Sequence, residues 1–574
     1  MDKIPKKTKK MIKKLIQKFK IYGVDGYIIP KNDEFFSEYA NPNRLKIISN
    51  FSGSAGMALV LKDRNYLYVD GRYTLQARLE SGKEFEINEI PKYNPRQILS
   101  RYKRKMKLGF DPKLFTFQSL RRHFLPEFEL IAIKDNLIDQ LCKNKKVISK
   151  SFFQLSSKEA GESVRSKLKK LKKFMSKKKI DNIFISAPEN VSWLLNLRGH
   201  DNPNSPIPNC RLIVTKNEKI YLFSSRDKIQ NISNKIPIKL NYYEEKDFYT
   251  ILYKLKGKNF SVDEISCSVF FEKLISSKFK IINKVDPIYM FKSLKNNTEL
   301  KNMEKAHVED GVALTKFLYW IKNTKIRNLD ELKVQNKLEN FRKKNKNYLY
   351  PSFNTIAGSG PNGAIIHYRA DKKSNRKIKS NDIFLCDSGG QYKYGTTDVT
   401  RTICFKKPKD RIKNIFTRVL KGHIAVVSTN LNKFNTGRQL DKRARFWLKK
   451  VKLDYGHGTG HGVGYFLNVH EGPQSLSKFN NIKIENGMIV SNEPGYYEEN
   501  KFGIRIENLI YAIKNKSKFY FKNLTLAPID NDLVNFNLLD FKEKQYLKNY
   551  HDLSYKKLAK FLNKKEKIWL RSLI

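Results

Sequence analysis

Acidic side chains with the means to bind a metal ion are concentrated in the second half of this 574-residue chain. Asp387 and Asp398 lie in two runs with β-strand propensity, separated by the turn at 390–395, so we expect them to face each other across a hairpin. Two carboxylates held close together repel each other unless a cation lies between them. An aspartate near a strand end is more often a turn or cap residue, so this pair alone does not define a site.

The run at 455–464 adds histidines to these acids, with glycine at alternate positions from 456 to 464. The spacing of His457 and His461 superficially matches the HExxH zinc helix, but the glutamate is missing and the glycines disfavour a helix. The run therefore predicts an extended segment, with the glycines on one face and His457, Thr459 and His461 on the other. Purely structural roles are disfavoured because four of the nine histidines fall in this region: His367, His457, His461 and His470.

Two glutamates follow further along the chain. Glu493 lies in the run at 491–497, and in the run at 503–508 Arg505 and Glu507 share a strand face. A glutamate that faces the interior needs a partner, and either Arg505 or a metal ion would serve.

The collected set contains four carboxylates and one imidazole: Asp387, Asp398, His461, Glu493 and Glu507. So many oxygen ligands suit a hard or borderline divalent ion, Mn²⁺ above all, with Co²⁺, Fe²⁺ and Zn²⁺ as alternatives. Four acids are more than one ion requires, so the set implies two metal ions. Two ions about 3.5 to 4 Å apart can hold a bridging hydroxide and polarise a carbonyl, which is suited to hydrolysis.

The elements that must position this set occupy a region that begins near Lys295, with a long helical pattern from Glu299 to Ile321 and strand-rich sequence after Pro351. The first half carries a different pattern, in which an amphipathic helix leads into a buried strand. This pattern occurs twice, because Leu168, Leu171, Met175, Ile180 and Asp181 repeat the offsets of Ile12, Leu15, Phe19, Val24 and Asp25. The repeat predicts two related α/β domains in tandem. The strand directly behind the first basic helix favours a domain over a membrane-surface helix.

The length of the chain indicates roughly three to four domains, and its composition indicates a globular protein. No stretch approaches 18 consecutive apolar residues and the first 20 residues resemble neither a signal nor a transit peptide, so we expect a cytoplasmic protein without a membrane partner. The five cysteines lie far apart without a CxxC pair, which argues against disulfides and a thiolate zinc site.

The net charge of +57 could indicate a polyanion partner. The lysines that carry it are spread along the whole chain, whereas a nucleic-acid site clusters basic and aromatic residues on one element. Compositional bias is the favoured interpretation, and no specific nucleic-acid partner is predicted.

Motifs over nearly the whole chain carry a resemblance to a known family. They lie at residues 51–56, 70–73, 193–199, 201, 351–361, 366–368, 387–392, 396–402, 457–464, 492–495 and 504–507. Through them the sequence resembles the Xaa-Pro aminopeptidases (aminopeptidase P) of the long, three-domain type. The resemblance implies an α/β (α+β) fold with two tandem creatinase-like domains, at 1–152 and 153–294. A pita-bread catalytic domain would follow at 295–574, with a C-terminal extension from about residue 525.

The resemblance also implies roles for individual residues. It makes Asp387, Asp398, His461, Glu493 and Glu507 the ligands of a dinuclear site, with Mn²⁺ as the usual ion. A hydroxide that bridges the two ions would attack the carbonyl of the first residue of a peptide whose second residue is proline. Glu493 would also accept a proton from the bridging water, and the enzyme would be a homodimer. The remaining roles fall to four residues that handle the substrate: His367 and His470 for the reacting peptide, and His457 and Arg505 for its proline side.

One departure and two rival functions accompany this resemblance. Phe35 stands where family members often have histidine. A prolidase that cleaves only Xaa-Pro dipeptides is the first rival, and the two domains that precede the catalytic one favour the aminopeptidase. A non-catalytic pita-bread module that binds peptides is the second, but such modules typically lose metal ligands, and this sequence keeps all five.

Overall fold

The computed structural model describes residues 6–97, 102, 105–142, 151–229, 236 and 238–574. Its chain forms two units, neither of which is one continuous segment. Unit 1 contains Met1–Ser157, Glu162–Pro203 and Ile207–Tyr289, and unit 2 contains Lys158–Gly161, Asn204–Pro206 and Met290–Ile574.

The first part of unit 1 is a six-stranded sheet with helices. Its strands are β1 (Gly26–Pro30), β2 (Met57–Leu61), β3 (Asn65–Asp70), β4 (Glu86–Ile90), β5 (Lys107–Phe110) and β6 (Glu129–Ala132). Its α-helices are α1 (Lys6–Tyr22), α2 (Arg44–Ser49), α3 (Thr74–Ser81) and α4 (Phe117–His123). The strand order is β4-β3-β2-β1-β5-β6. Helix α1 buries its apolar stripe, including Leu15 and Phe19, in the core beside β1.

The second part of unit 1 contains another six-stranded sheet and a short pair of strands. Its strands are β7 (Phe153–Gln154), β8 (Asn182–Ile185), β9 (Leu197–Arg198), β10 (Arg211–Thr215), β11 (Ile220–Phe223), β12 (Asn241–Tyr243), β13 (Asn259–Val262) and β14 (Lys280–Asn283). The helices along this stretch of the chain are α5 (Ser157–Ala160), α6 (Val164–Lys177), α7 (Pro188–Leu194), α8 (Arg226–Ile229), α9 (Phe248–Lys254), α10 (Val269–Ser276) and α11 (Ile288–Ser293). Most of α5 and of α11 belongs to unit 2. The large sheet has the order β12-β11-β10-β8-β13-β14, and β7 pairs with β9.

The two large sheets of unit 1 share one topology. Each is a central strand flanked by an antiparallel neighbour and a parallel neighbour, with the outer strands added in the same order and direction. The likeness extends to side chains, because Asp25 accepts from the backbone of Lys107 and Asp181 accepts from that of Asn259. Both aspartates stand just before the central strand and tie it to its parallel neighbour. The tandem α/β repeat predicted from the apolar offsets is therefore confirmed.

Unit 2 contains the remaining strands, in several small sheets. They are β15 (Tyr348–Pro351), β16 (Ile356–Ser359), β17 (Ile383–Ser388), β18 (Gly390–Tyr392), β19 (Gly395–Thr396), β20 (Val399–Cys404), β21 (Gly460–Gly462), β22 (Glu471–Leu476), β23 (Ile489–Asn492), β24 (Gly495–Glu498), β25 (Phe502–Arg505), β26 (Asn508–Asn515) and β27 (Lys518–Asn523). The sheets are β15-β18-β19, β16-β17-β20, β22-β21-β23-β26-β27 and the hairpin β24-β25.

Helices cover these sheets. They are α12 (Asn297–Asn323), α13 (Glu331–Lys343), α14 (Asp410–Val427), α15 (Gly437–Lys449), α16 (Phe541–Leu558) and α17 (Lys564–Arg571). Helix α12 begins with a capping box between Asn296 and Glu299, which satisfies the first backbone N–H groups and explains why the helical pattern starts there. Apolar side chains of α14 and α15 pack with those of the five-stranded sheet, and this core holds the strands that carry the site.

Candidate metal centre

Two of the predicted ligands come from the sheet β16-β17-β20. Asp387 is the penultimate residue of β17 and pairs with Thr400 on the antiparallel strand β20, while Asp398 immediately precedes β20. Asp398 lies two residues before Thr400, and side chains two apart share a face of a strand. The two carboxylates therefore lie diagonally on one face, as the hairpin prediction requires.

His461 and Glu493 come from adjacent strands of the five-stranded sheet. His461 is the middle residue of β21 and Glu493 follows β23 directly. A Cβ on Gly460 would lie 1.9 Å from the Ser491 carbonyl oxygen, so only glycine allows this approach of the two strands. The His461 N–H donates to Ser491 Oγ at 2.9 Å, and this hydroxyl donates to Glu493 Oε1 at 3.0 Å. Of the glycine-rich run, 460–462 is extended as predicted, whereas 456, 457 and 459 are bends and not part of a strand.

The imidazole of His461 faces the carboxylates. Its Nδ1 lies 2.9 Å from the carbonyl oxygen of Gly462, which can only accept, so Nδ1 carries a proton. Its Nε2 lies 3.4 Å from Asp398 Oδ2 and 3.5 Å from Glu493 Oε1. In the neutral ring, Nε2 therefore presents a lone pair toward two acids. Ligand atoms of Asp398, His461 and Glu507 all lie within 4.8 Å of one another.

Arg505 pairs with Asp387, and Glu507 has a different partner. Arg505 Nη2 donates to Asp387 Oδ2 at 2.7 Å, while Asp387 Oδ1 is buried without a hydrogen-bond partner among the described residues. Glu507 accepts from Thr400 Oγ1 at 2.7 Å, and the same hydroxyl accepts from Arg505 Nε at 3.0 Å. The Arg505 guanidinium therefore donates directly to Asp387 and is linked to Glu507 by hydrogen bonds through Thr400.

Crowding and burial shift the pKa values of this cluster. Burial, together with the charges of Asp398 and Glu493, raises the pKa of Asp387 to about 7 even though Arg505 opposes the shift. Burial also raises the pKa values of Glu493 and Glu507. Burial lowers the pKa of His461, but Asp398 and Glu493 outweigh it and raise the value to about 9. A buried cluster of this kind is stabilised by added positive charge.

The other predicted residues surround this cluster. The rings of His470 and His461 have centroids 4.2 Å apart. His457 Nε2 lies 2.9 Å from the Tyr497 hydroxyl, which accepts from Arg505 Nη1 at 2.6 Å. His367 is half-buried. It follows Ile366, whose carbonyl oxygen lies 3.4 Å from Arg505 Nη2.

Sequence reasoning did not single out Thr400, Ser491 or Tyr497. All three lie inside or next to the motifs, at 396–402 and 491–497. Composition alone does not tell which hydroxyl of such a run faces the acids. Alternation could have selected Thr400, because it lies two residues from Asp398 on the same strand face.

Family models match four consecutive stretches of the chain. Residues 301–514 match metallopeptidase family M24 and residues 518–573 match the C-terminal region of peptidase M24. Residues 11–141 and 143–299 match two models of the creatinase/prolidase N-terminal domain. Among the residues that the structure describes, no helix is both long and apolar enough to cross a membrane.

Relatives match over nearly the full length of both chains. Xaa-Pro aminopeptidase 1 of Dictyostelium discoideum is 35% identical, with 98% of this chain and 96% of the relative covered. A probable Xaa-Pro aminopeptidase P of Laccaria bicolor is 34% identical, with 98% and 93% covered.

Solved structures give the same result. X-prolyl aminopeptidase of Caenorhabditis elegans, described as a cytosolic enzyme with a di-nuclear active site, matches with a TM-score of 0.92, 28% identity and 99% of each chain covered. Prolidase of Pyrococcus furiosus matches only 62% of this chain, with a TM-score of 0.51 and 26% identity. The predicted fold class, two creatinase-like domains followed by a pita-bread domain, is confirmed. The chain therefore belongs to metallopeptidase family M24, among the long Xaa-Pro aminopeptidases.

Proposed function

We propose that the protein is a metal-dependent Xaa-Pro aminopeptidase, a hydrolase that releases the first residue of peptides whose second residue is proline. The observation that carries the proposal is the convergence of the imidazole of His461, in strand β21, with several acids at the ends of other strands in unit 2. The full-length relatives support this activity over that of a prolidase, because the prolidase match leaves a large part of the chain uncovered.

The proposed ligands of two divalent ions are Asp387, Asp398, His461, Glu493 and Glu507. Their chemistry fits such ions. Asp387 Oδ1 is buried without a described hydrogen-bond partner, and His461 Nε2 faces the carboxylates of Asp398 and Glu493. Bound cations would give both groups a partner of opposite charge. The oxygen-rich set favours Mn²⁺, and Co²⁺, Fe²⁺ and Zn²⁺ are the alternatives.

Bound ions would supply a nucleophilic water at neutral pH and would polarise the scissile carbonyl. Side chains of the protein would transfer the proton and position the substrate. Glu493 would accept the proton of the attacking water, since its carboxylate adjoins His461 and is held by Ser491. His470 and His367 would position the reacting peptide and stabilise the negative charge that develops on its oxygen.

His457 and Arg505 would shape the region that receives the proline side of the substrate. Arg505 donates to Tyr497 OH, and this hydroxyl can in turn donate to His457 Nε2, because His457 Nδ1 contacts the Gly458 carbonyl oxygen at 2.7 Å. The chain of hydrogen bonds fixes the orientation of the His457 ring. A proline nitrogen has no proton to donate and its ring restricts the preceding residue, so a dedicated and rigid pocket is useful.

Hydrolysis of three peptides tests this function. Metal-stripped protein is supplied with Mn²⁺ and given Arg-Pro-Pro, Arg-Ala-Ala or the dipeptide Arg-Pro. Release of arginine from Arg-Pro-Pro but not from Arg-Ala-Ala is the expected result. Cleavage of the dipeptide alone would mean a prolidase, and no cleavage with no metal bound would mean a peptide-binding module.

We also propose three domains, at 1–152, 153–294 and 295–574, with a C-terminal extension from about residue 525. The separate sheets β4-β3-β2-β1-β5-β6 and β12-β11-β10-β8-β13-β14 support the first boundary. A cytoplasmic location is proposed with support from the relative described as cytosolic. A homodimer remains a prediction of the family resemblance, and sedimentation equilibrium tests it.

A further inference from the structure

A buried carboxylate next to His470 is paired with two buried lysines. Glu471 Oε2 lies 2.9 Å from Lys292 Nζ, and Glu471 Oε1 lies 2.5 Å from Lys295 Nζ. All three side chains are at most 2% exposed. We call these three residues the lysine clamp. Nothing in the proposed reaction uses these charges directly, yet burying three of them is costly unless each is well paired.

The ladder between strands β21 and β22 is interrupted next to Glu471. Strand β22 pairs with β21 at Gly460–Leu476 and His461–Ser475, but the next pair is Gly462–Glu471. Residues 472–474 therefore bulge out of the ladder between two paired positions. The ladder resumes on the far side of this bulge with the single pair Gly462–Glu471, and His470 lies directly beyond that pair.

The clamp adds a side-chain anchor to this single backbone pair. Gln474 Nε2 donates to the Ile489 carbonyl oxygen at 3.1 Å, which holds the near side of the bulge. Glu471 holds the far side through its two ion pairs, while its neighbour His470 is exposed and its ring packs 4.2 Å from that of His461.

The lysines themselves are well held. Lys295 Nζ also donates to the Lys292 carbonyl oxygen at 2.8 Å, and the Lys295 N–H donates to the Gly487 carbonyl oxygen at 3.2 Å. The anchor is therefore a fixed point and not a flexible surface pair.

We propose that the lysine clamp is a positioning device for catalysis, in which Lys292 and Lys295 hold Glu471 so that His470 stays against the metal ligand His461. Glu471 acts through His470 and does not touch the substrate. The inference rests on the proposed role of His470 in the reaction.

The test compares Glu471→Gln with a matched control, Glu543→Gln. Glu543 also forms a buried ion pair with a lysine, Lys421, but on helices α14 and α16. Glu471→Gln should lower kcat toward Arg-Pro-Pro about 10- to 100-fold, as loss of a supporting partner does in metal sites, with KM and bound metal little changed. Glu543→Gln should leave kcat of the folded protein unchanged.

A double variant separates positioning from a merely structural role. If Glu471 acts through His470, then Glu471→Gln combined with His470→Ala should be no slower than His470→Ala alone. Multiplied losses, or a kcat of Glu471→Gln within about twofold of the parent, would overturn the proposal. If Glu471→Gln does not fold, Lys292→Met carries the test, because it leaves Glu471 paired with Lys295 and should lower kcat in the same direction by less.

Crystal structures of Glu471→Gln and Glu543→Gln give a readout that does not depend on activity. The centroid separation of the His461 and His470 rings should depart from 4.2 Å in Glu471→Gln and stay there in Glu543→Gln. An unchanged separation in Glu471→Gln would refute the clamp even if the protein cleaves proline peptides. Failure of the parent on every peptide would refute the proposed function while leaving this structural comparison valid.

Discussion

At the scale of single residues, replacing different side chains of the site should affect metal binding and turnover differently. Asp398→Ala or His461→Ala should abolish turnover of Arg-Pro-Pro, because each removes a donor from the cluster of ligand atoms within 4.8 Å of one another. Elemental analysis of the purified variants should show less bound metal than the parent has. An equally active and fully metallated variant would remove that residue from the ligand set.

His470→Ala should also lower turnover but should leave the metal ions bound. The ring packs against His461 but is exposed and is not among the proposed ligands, so both ions should stay bound. The kcat for Arg-Pro-Pro should fall about 100-fold or more, because a group that stabilises developing charge is lost. An unchanged kcat would refute the role assigned to His470.

His423 in helix α14 makes stability depend on pH. Its ring is buried, Nδ1 lies 3.0 Å from the Asn492 carbonyl oxygen, and Nε2 has no hydrogen-bond partner among the described residues. Burial, aided by the charge of Arg401, lowers its pKa to about 3. The folded pKa lies below the unfolded value near 6.5, so the unfolded chain binds more protons between these values and stability falls as pH drops through this window.

This effect can be measured by urea unfolding of metal-free protein at pH 6.5 and pH 4.5. The slope that one such histidine contributes is about 1.4 kcal/mol per pH unit. His423→Gln should lose less stability between the two pH values than the parent does. Equal losses would mean that His423 does not contribute to the acid sensitivity.

At the scale of elements, the approach of β21 to β23 is the most demanding feature of the site. In Gly460→Ala the new Cβ would meet the Ser491 carbonyl oxygen at 1.9 Å, and backbone must move to relieve the clash. We expect lower thermal stability and weaker metal binding, since His461 and Glu493 sit on these strands. Gly472→Ala is the control, because no atom lies within 4 Å of a Cβ there. Equal metal affinity in the two variants would contradict this account.

The sequence predicts such elements better than it predicts the partners of their side chains. Alternate glycines at 456–464 predict an extended run, and the apolar offsets around Leu15 and Leu171 predict the duplicated sheets, because both depend on local periodicity. The pairing of Arg505 with Asp387 spans 118 residues. No local pattern encodes it, and the sequence alone offers the nearby Glu507 as a partner of Arg505. Packing of β17 against β25 decides between them.

At the scale of the whole molecule, the net charge of +57 predicts weak association with any polyanion. Exposed lysines on α1 and α6 belong to amphipathic helices whose other face is buried, which is the ordinary arrangement of a solvated helix. Affinity for a random oligonucleotide should fall steeply with salt and be independent of its sequence. Fluorescence anisotropy over a salt series measures it. Sequence-dependent binding that persists at high salt would instead indicate a dedicated nucleic-acid site.

The discontinuity of unit 2 limits how this chain can be divided. The Tyr465 hydroxyl donates to the Glu159 carbonyl oxygen at 2.7 Å, and Gln391 Nε2 donates to that of Asn204 at 3.0 Å. Two short segments from earlier in the chain, Lys158–Gly161 and Asn204–Pro206, are therefore part of unit 2. A polypeptide that begins at residue 290 lacks both acceptors. One proteolytic cut therefore cannot release unit 2 intact. A fusion protein that includes unit 2 must also include the two earlier segments.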